Sequence, residues 1–237
     1  MVPDLARSLE QTCPEQRQIT TMKSSLRKLH FIALSLGLCV AAHAQSLTTF
    51  EAVPGGSKCR IAGTSTIHDW TMDSPLIAGS MELDSSLVNE PTKATPGKVN
   101  AKVNVKIAVR AFKSGTAAMD VRMQEAMNVQ QHPRIEYRLT ELNLKEAPKD
   151  ATAPMQFDSK GELAVNGVTN KVTFPVTITR VDKDKLKVSG STSVKMTDYK
   201  VEPPAPKIAL GFIKTGNEVK LTFDWLTAKG AEGTASK

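Results

Sequence analysis

The sequence predicts an all-β protein, a closed antiparallel barrel of about eight strands with one amphipathic helix. Three observations carry this prediction. Val99, Ala101, Val103, Val105, Ile107 and Val109 alternate with Lys98, Asn100, Lys102, Asn104, Lys106 and Arg110, and a period of two buries one face of a long strand and wets the other. Asn166-Gly167 stands between two alternating apolar runs, a pair that two-residue hairpins select because both turn positions need φ above zero. Met119, Met123 and Met127 recur every fourth residue within 117–131, which is a helical repeat. A sandwich would satisfy the same alternation, but closure removes the open edges of so many long strands.

Ahead of the strands lies a leader. Lys23, Arg27 and Lys28 precede the apolar run Leu29 to Val40, which ends in Ala41-Ala42-His43-Ala44. A basic segment, a short apolar segment and a small-x-small site make a secretory signal peptide, cleaved to leave Gln45 at the mature N-terminus. The run is well short of the ~20 residues that a spanning helix needs. Residues 1–21 supply nothing a signal requires, so Met22 is a second candidate start. Leu38 before Cys39 argues against a lipid-anchored cysteine, because such a signal wants a small residue there. The chain is thus expected to be exported and to divide into a removed leader (1–44), a polar lead-in with Pro54-Gly55-Gly56 (45–56), one barrel domain (57–228) and a small polar tail (229–237).

Strand patterns run over 58–67, then, past a turn through His68-Asp69-Trp70, over 76–83. Pro91, Pro96 and Gly97 mark 84–97 as a loop before the long strand of 98–110. The helix of 117–131 stops at Pro133. Ile135, Tyr137 and Leu139 open a strand that continues to Leu144, and Pro148 to Pro154 is a loop. Phe157 to Val165 and Val172 to Ile178 flank the Asn-Gly turn; a strand over 186–196 follows the turn Asp182-Lys183-Asp184. After the rigid 202–206 loop, Ile208 to Ile213 reads as a short strand, and Val219, Leu221, Phe223 and Trp225 form the last.

Charge and cysteine content exclude several classes. The net charge is +7, yet the lysines are spread at strand-alternating positions such as Lys98, Lys102 and Lys106, and Lys183, Lys185 and Lys187. That spacing decorates the wet face of a sheet; it does not gather the basic patch with stacking aromatics that nucleic acid requires. Cys13 and Cys39 leave with the leader, so Cys59 remains alone, without an intrachain disulfide or a cysteine-based zinc cluster. It reads as a small core residue on its strand.

Catalytic motifs are missing. There is no Gly-rich phosphate loop, no His-x-x-x-His pair and no Gly-x-Ser-x-Gly elbow. His68 beside Asp69 is the one candidate base with an orienting acid, set against the plainer reading in which Asp69 caps a turn and His68 packs by Trp70. His132, before Pro133, suits the end of the helix, where a cation opposes the helix dipole. The methionine stripe serves either as core packing or as an adaptable lid over an apolar cavity. An eight-stranded interior is just wide enough to be filled by side chains or to hold one slender ligand. Aromatic content is 5%, so walls of Val, Ile, Leu and Met suit an aliphatic or isoprenoid chain better than a stacked ring.

Three passages carry a family resemblance. Met127 to Tyr137 (MNVQQHPRIEY) looks like the P-x-I-x-F segment of the YceI-like proteins, and Gly161 to Val172 (GELAVNGVTNKV) resembles their G-x-L-x-x-x-G-x-T hairpin. Gly63 to Trp70 (GTSTIHDW) is similar to the opening of one subgroup. Order and spacing agree over about 57–226. The resemblance implies a lipocalin-like antiparallel barrel, exported to the periplasm, that holds a polyisoprenoid or similar amphiphile for binding or transport without catalysis. The residues expected to line its cavity are Val103, Val105 and Ile107 on the dry face of the longest strand, Met119 and Met123 on the helix, and Ile135, Tyr137, Phe174 and Trp225. Tyr137 would supply the hydroxyl that orients a polar head. The expected ligand is an isoprenoid, an isoprenoid quinone or another lipid, with no metal or cofactor, no nucleic acid, transient membrane contact, and a monomer or homodimer. Two rivals stand beside this reading: a small exported enzyme using His68 and Asp69, and a structural or stress-response barrel whose interior is filled.

Overall fold

A computed structural model describes residues 46–205 and 213–230. Its strands are β1 (Leu47–Ala52), β2 (Lys58–Ser65), β3 (Trp70–Ser74), β4 (Ala78–Asp84), β5 (Gly97–Val99), β6 (Ala101–Ala108), β7 (Arg134–Leu144), β8 (Met155–Val165), β9 (Val168–Arg180), β10 (Lys185–Lys195) and β11 (Thr215–Lys229). Two α-helices interrupt them, α1 (Ser85–Asn89) and α2 (Ala117–Ala126). Every pairing is antiparallel.

Three pairs of consecutive strands act as single broken staves. β1 and β2 both run against β11, β1 beside 227–229 and β2 beside 215–224. β3 pairs with β2 and β4 with β1, while β5 and β6 share β7. Taken so, eight staves follow one another in sequence order, and β11 returns to β1 and β2 to close the barrel. The breaks have local causes. Pro54-Gly55-Gly56, with φ of 75° and 74° at the glycines, interrupts the first stave, but Val53 N–H still donates to the Leu226 carbonyl and Leu226 N–H to the Ser57 hydroxyl. That stave therefore never leaves β11.

One end of the barrel is packed shut. Phe50, Leu83, Leu87, Leu144, Phe157, Leu186 and Thr227 are all buried there. α1 sits across this end, capped by Asp84, whose carboxylate accepts from the Ser86 N–H at 2.9 Å, and Arg180 donates to the Val88 carbonyl. At the other end, β6 leads into a 3-10 turn and α2, and β10 into a second turn over Met196–Tyr199. The outer faces carry the charge: Lys98, Lys102 and Lys106 are exposed, and cross-strand pairs such as Lys102–Glu82 (2.9 Å) and Arg138–Glu162 (2.6 Å) decorate it.

Several sequence expectations need correction. The lead-in 45–56 holds β1, whose Phe50 is buried; a strand of six residues with one buried side chain offers no readable alternation. Trp70 opens β3 and is not part of the turn. The 84–97 loop contains α1 and a 3-10 turn over Pro91–Lys93. The long strand pauses at Asn100 and ends at Ala108. The helix stops at Ala126, and Asn128 in the left-handed region (φ 46°) turns the chain before Pro133. Its apolar stripe is narrow, since Val121 points outward at 51% exposure. The leader, the tail beyond 230 and all of the Ile208–Ile213 strand but Ile213, which is in no strand, lie outside the described residues. No helix among the described residues is long and apolar enough to cross a membrane.

Candidate functional site

The dry face of β6 behaves differently at its two ends. Ala101, Val103 and Val105 point inward yet stay half-buried, whereas Ile107 is buried. Inward-facing apolar side chains that remain accessible mark a void. That void is an inner chamber of about 120 Å³ within the barrel. Val103, Val105, Ile107, Ile135, Tyr137, Phe174 and Trp225 all line it. A second chamber of about 350 Å³ lies at the α2 end, and Ile135 and Leu221 belong to the walls of both. Met119 and Met123 line this mouth, joined by Met72, Met127 and Met196. The nine expected positions thus fall on one connected apolar surface, seven inside and two at the mouth. Small-molecule sites commonly have volumes of ~300–1,000 Å³, so the mouth is large enough for a ligand and the inner chamber admits only a slender part of one.

Tyr137 does not stand ready at the opening. Its hydroxyl is 2.6 Å from that of Ser159, which is buried, and burial pushes the phenol pKa up despite that bond. Gly161 sets the ring's position: a Cβ there would meet the Tyr137 ring at 2.4 Å, so only glycine lets the ring lie across the strand. Tyr137 packs on Phe174 with centroids 5.5 Å apart, and Phe174 meets Phe223 edge-on at 6.0 Å. Phe223, Leu139, Leu163 and Met81 also form the inner wall and were not singled out from sequence. Phe223 was readable, since it shares the alternation of Leu221 and Trp225. Met81 was not, because Gly79 and Ser80 blur the pattern of β4. Trp225 is buried, and its indole Nε1–H is the one buried side-chain donor without a partner among the described residues.

The remaining candidates do not converge on chemistry. His68 and Asp69 are both exposed at the β2–β3 turn. The His68 Nδ1–H donates to the Asp69 backbone carbonyl at 2.8 Å, so the neighbouring carboxylate is not its orienting partner. The turn is organised by Ser65, whose hydroxyl donates to the His68 carbonyl and accepts from the His68 N–H. His132 lies beyond the end of α2, and its ring packs on Gly167, where a Cβ would come within 2.6 Å. Burial, with a smaller push from Asp73, raises the Cys59 thiol to about 12, which suppresses the nucleophilic thiolate. Among the described residues no three His, Cys, Asp or Glu side chains gather as a metal site would require.

Comparison with solved structures finds the same fold. A polyisoprenoid-binding domain from Saccharophagus degradans, implicated in plant cell wall breakdown, superposes with a TM-score of 0.58 at 12% identity, covering 78% of this chain and 100% of that one. BcnA of Burkholderia cenocepacia superposes with a TM-score of 0.54 at 16% identity, covering 72% and 95%. A search of curated proteins returns no match. The YceI-like domain model matches residues 47–226, from the first strand of the barrel into the last, and the chain belongs to that family.

Proposed function

We propose that the protein binds a long apolar or amphiphilic molecule, an isoprenoid chain or a similar lipid, with its tail in the inner chamber and its head at the mouth. The observation that carries this reading is the asymmetry of the barrel: one end is packed to full burial around Phe50, Leu83 and Phe157, while the other opens through a methionine-lined mouth into an apolar void. A filled structural barrel has no need of such an opening. The polyisoprenoid-binding domain of the same fold supports the ligand class. Methionine is flexible and polarizable, so a wall built from it adapts to a chain of varying shape.

Export belongs to the same reading, supported by Lys23, Arg27 and Lys28, the apolar run after them, and the Ala42-His43-Ala44 site. The protein then holds or carries its ligand in the periplasm. The test is organic extraction of the purified protein followed by mass spectrometry. A stoichiometric isoprenoid or other long-chain lipid is expected in the extract. An empty extract, together with no uptake of added prenol, would overturn the reading and leave a barrel whose function lies on its surface.

A further inference from the structure

The inner chamber has a floor, and the strand register shows which side chains form it. Along β11 the inward positions run from the mouth to the closed end as Val219, Leu221, Phe223, Trp225 and Thr227. Val219 and Leu221 line the mouth; Leu221, Phe223 and Trp225 line the inner chamber. Leu221 and Phe223 are half-buried, as the walls of a void must be, but Trp225 is 2% exposed and Thr227 0%. Trp225 stands opposite Val188, and Val188 opposite Ile178, so the three cross the wall as one row. All three are buried and all line the chamber. The row below is sealed: Thr227 lies opposite Leu186, and its hydroxyl donates to the Leu186 carbonyl at 3.1 Å. An indole is an unfavourable occupant of the upper row. Its Nε1–H has no partner among the described residues, and a buried donor left unpaired weighs against the fold. A phenylalanine would avoid that cost, so what the indole adds is its extra bulk.

The spacing of these rows sets a length. From Val219 to Trp225 the strand advances ~20 Å at ~3.3 Å per residue, which is ~15 Å along the axis of a barrel whose strands tilt by ~40°. An extended hydrocarbon advances ~1.25 Å per bond, so about twelve chain carbons, or about three isoprene units, reach from the mouth to the floor. We infer that the barrel gauges tail length, with Trp225 as its stop: it encloses a single tail of about a dozen chain carbons, and a longer tail leaves its remainder outside. This inference rests on the apolar-cavity reading above and adds the length of the ligand to it. Each carbon up to the stop exchanges water for apolar wall. Each carbon past it gains nothing from the protein while still favouring a bilayer. Short single-chain lipids are therefore the class that this barrel holds against the pull of a membrane.

The test is the affinity of lipid-stripped protein for the straight-chain alcohols from octanol to octadecanol, read by displacement of the dye 1-anilinonaphthalene-8-sulfonate. In the parent, affinity is expected to rise about fourfold per added carbon and to level off near dodecanol. Trp225→Leu leaves a cavity at the floor and should carry the break about two carbons further. Val188→Phe, in the same row, raises the floor and should bring the break back by about two carbons. Affinity that keeps rising through octadecanol in the parent would overturn the inference, and that curve stands even if a variant folds poorly. A break that stays at the same carbon in both variants would overturn it too, since the stop would then lie elsewhere. Failure of every alcohol to displace the dye would instead sink the underlying cavity reading.

Discussion

Val105 lies opposite Tyr137 on one side and Gly79 on the other, in the middle of β6, and its side chain remains half-buried because it faces the inner chamber. Enlarging a residue in a close-packed core forces strained rotamers and costs ~1–3 kcal/mol. Beside a void the same enlargement fills space that ligand would occupy. Val105→Trp is therefore expected to fold with a melting temperature near that of the lipid-free parent while losing bound lipid, read by mass spectrometry and thermal denaturation. Severe unfolding, with no lipid in the parent, would mean that the interior is simply a core. Cys59 makes a second prediction at this scale. Its thiol ordinarily titrates near 9.0 and in the fold near 12. The folded state therefore holds its proton where the unfolded chain has released it. Stability from this group is complete below pH 9 and is lost as pH rises toward 12. Between pH 8 and pH 10.5 the parent should lose more melting temperature than Cys59→Val. Equal losses would show the thiol titrating normally.

The β8–β9 hairpin is the element on which local chemistry has the strongest hold. Asn166 and Gly167 both adopt positive φ, 51° and 74°, between the paired residues Val165 and Val168. Asn166 does more than turn the chain: its side-chain amide donates to the carbonyls of Tyr199 and Lys200 and its carbonyl accepts from Asn128, tying the hairpin to both structures at the mouth. Gly167→Val combines a left-handed β-branched residue with a Cβ within 2.6 Å of the His132 ring. It should destabilise by about 1–3 kcal/mol, a fall of several degrees in melting temperature for a domain of this size. An unchanged melting temperature would show that the turn is not strained by a side chain. This hairpin, the alternation of 99–109 and the strands from β7 onward were legible because their period or turn chemistry is local. β1 and β3 were not, because five or six residues give too few repeats and their positions are decided by partners far along the chain, β11 for β1 and β2 for β3. Wall positions followed from the dry face of each strand.

For the whole molecule, the family and the barrel architecture set the frame for the proposal of export. N-terminal sequencing of secreted protein should begin at Gln45, and a retained 1–44 segment would remove the export proposal. The staves neighbour one another in sequence order, with a single exception: the first and last strands meet, Phe50 opposite Lys229 and Cys59 opposite Phe223, with Gly230 N–H donating to the Thr49 carbonyl. That junction joins residues that are as far apart in the chain as the domain allows, so it carries the largest loop-closure cost and depends on strands already in place. It also delivers Leu221, Phe223 and Trp225, three of the chamber's walls. If the chain is exported as proposed, threading N-terminus first across a membrane, it would emerge with the greasy side of every earlier strand uncovered and the last wall still behind it. During that interval a lipid tail of the proposed kind would compete for the same surface as the chain's own final strand. Capture of the ligand and completion of the fold become alternatives in time: a tail held too early would block the seam, and one that arrives later must enter through the methionine mouth.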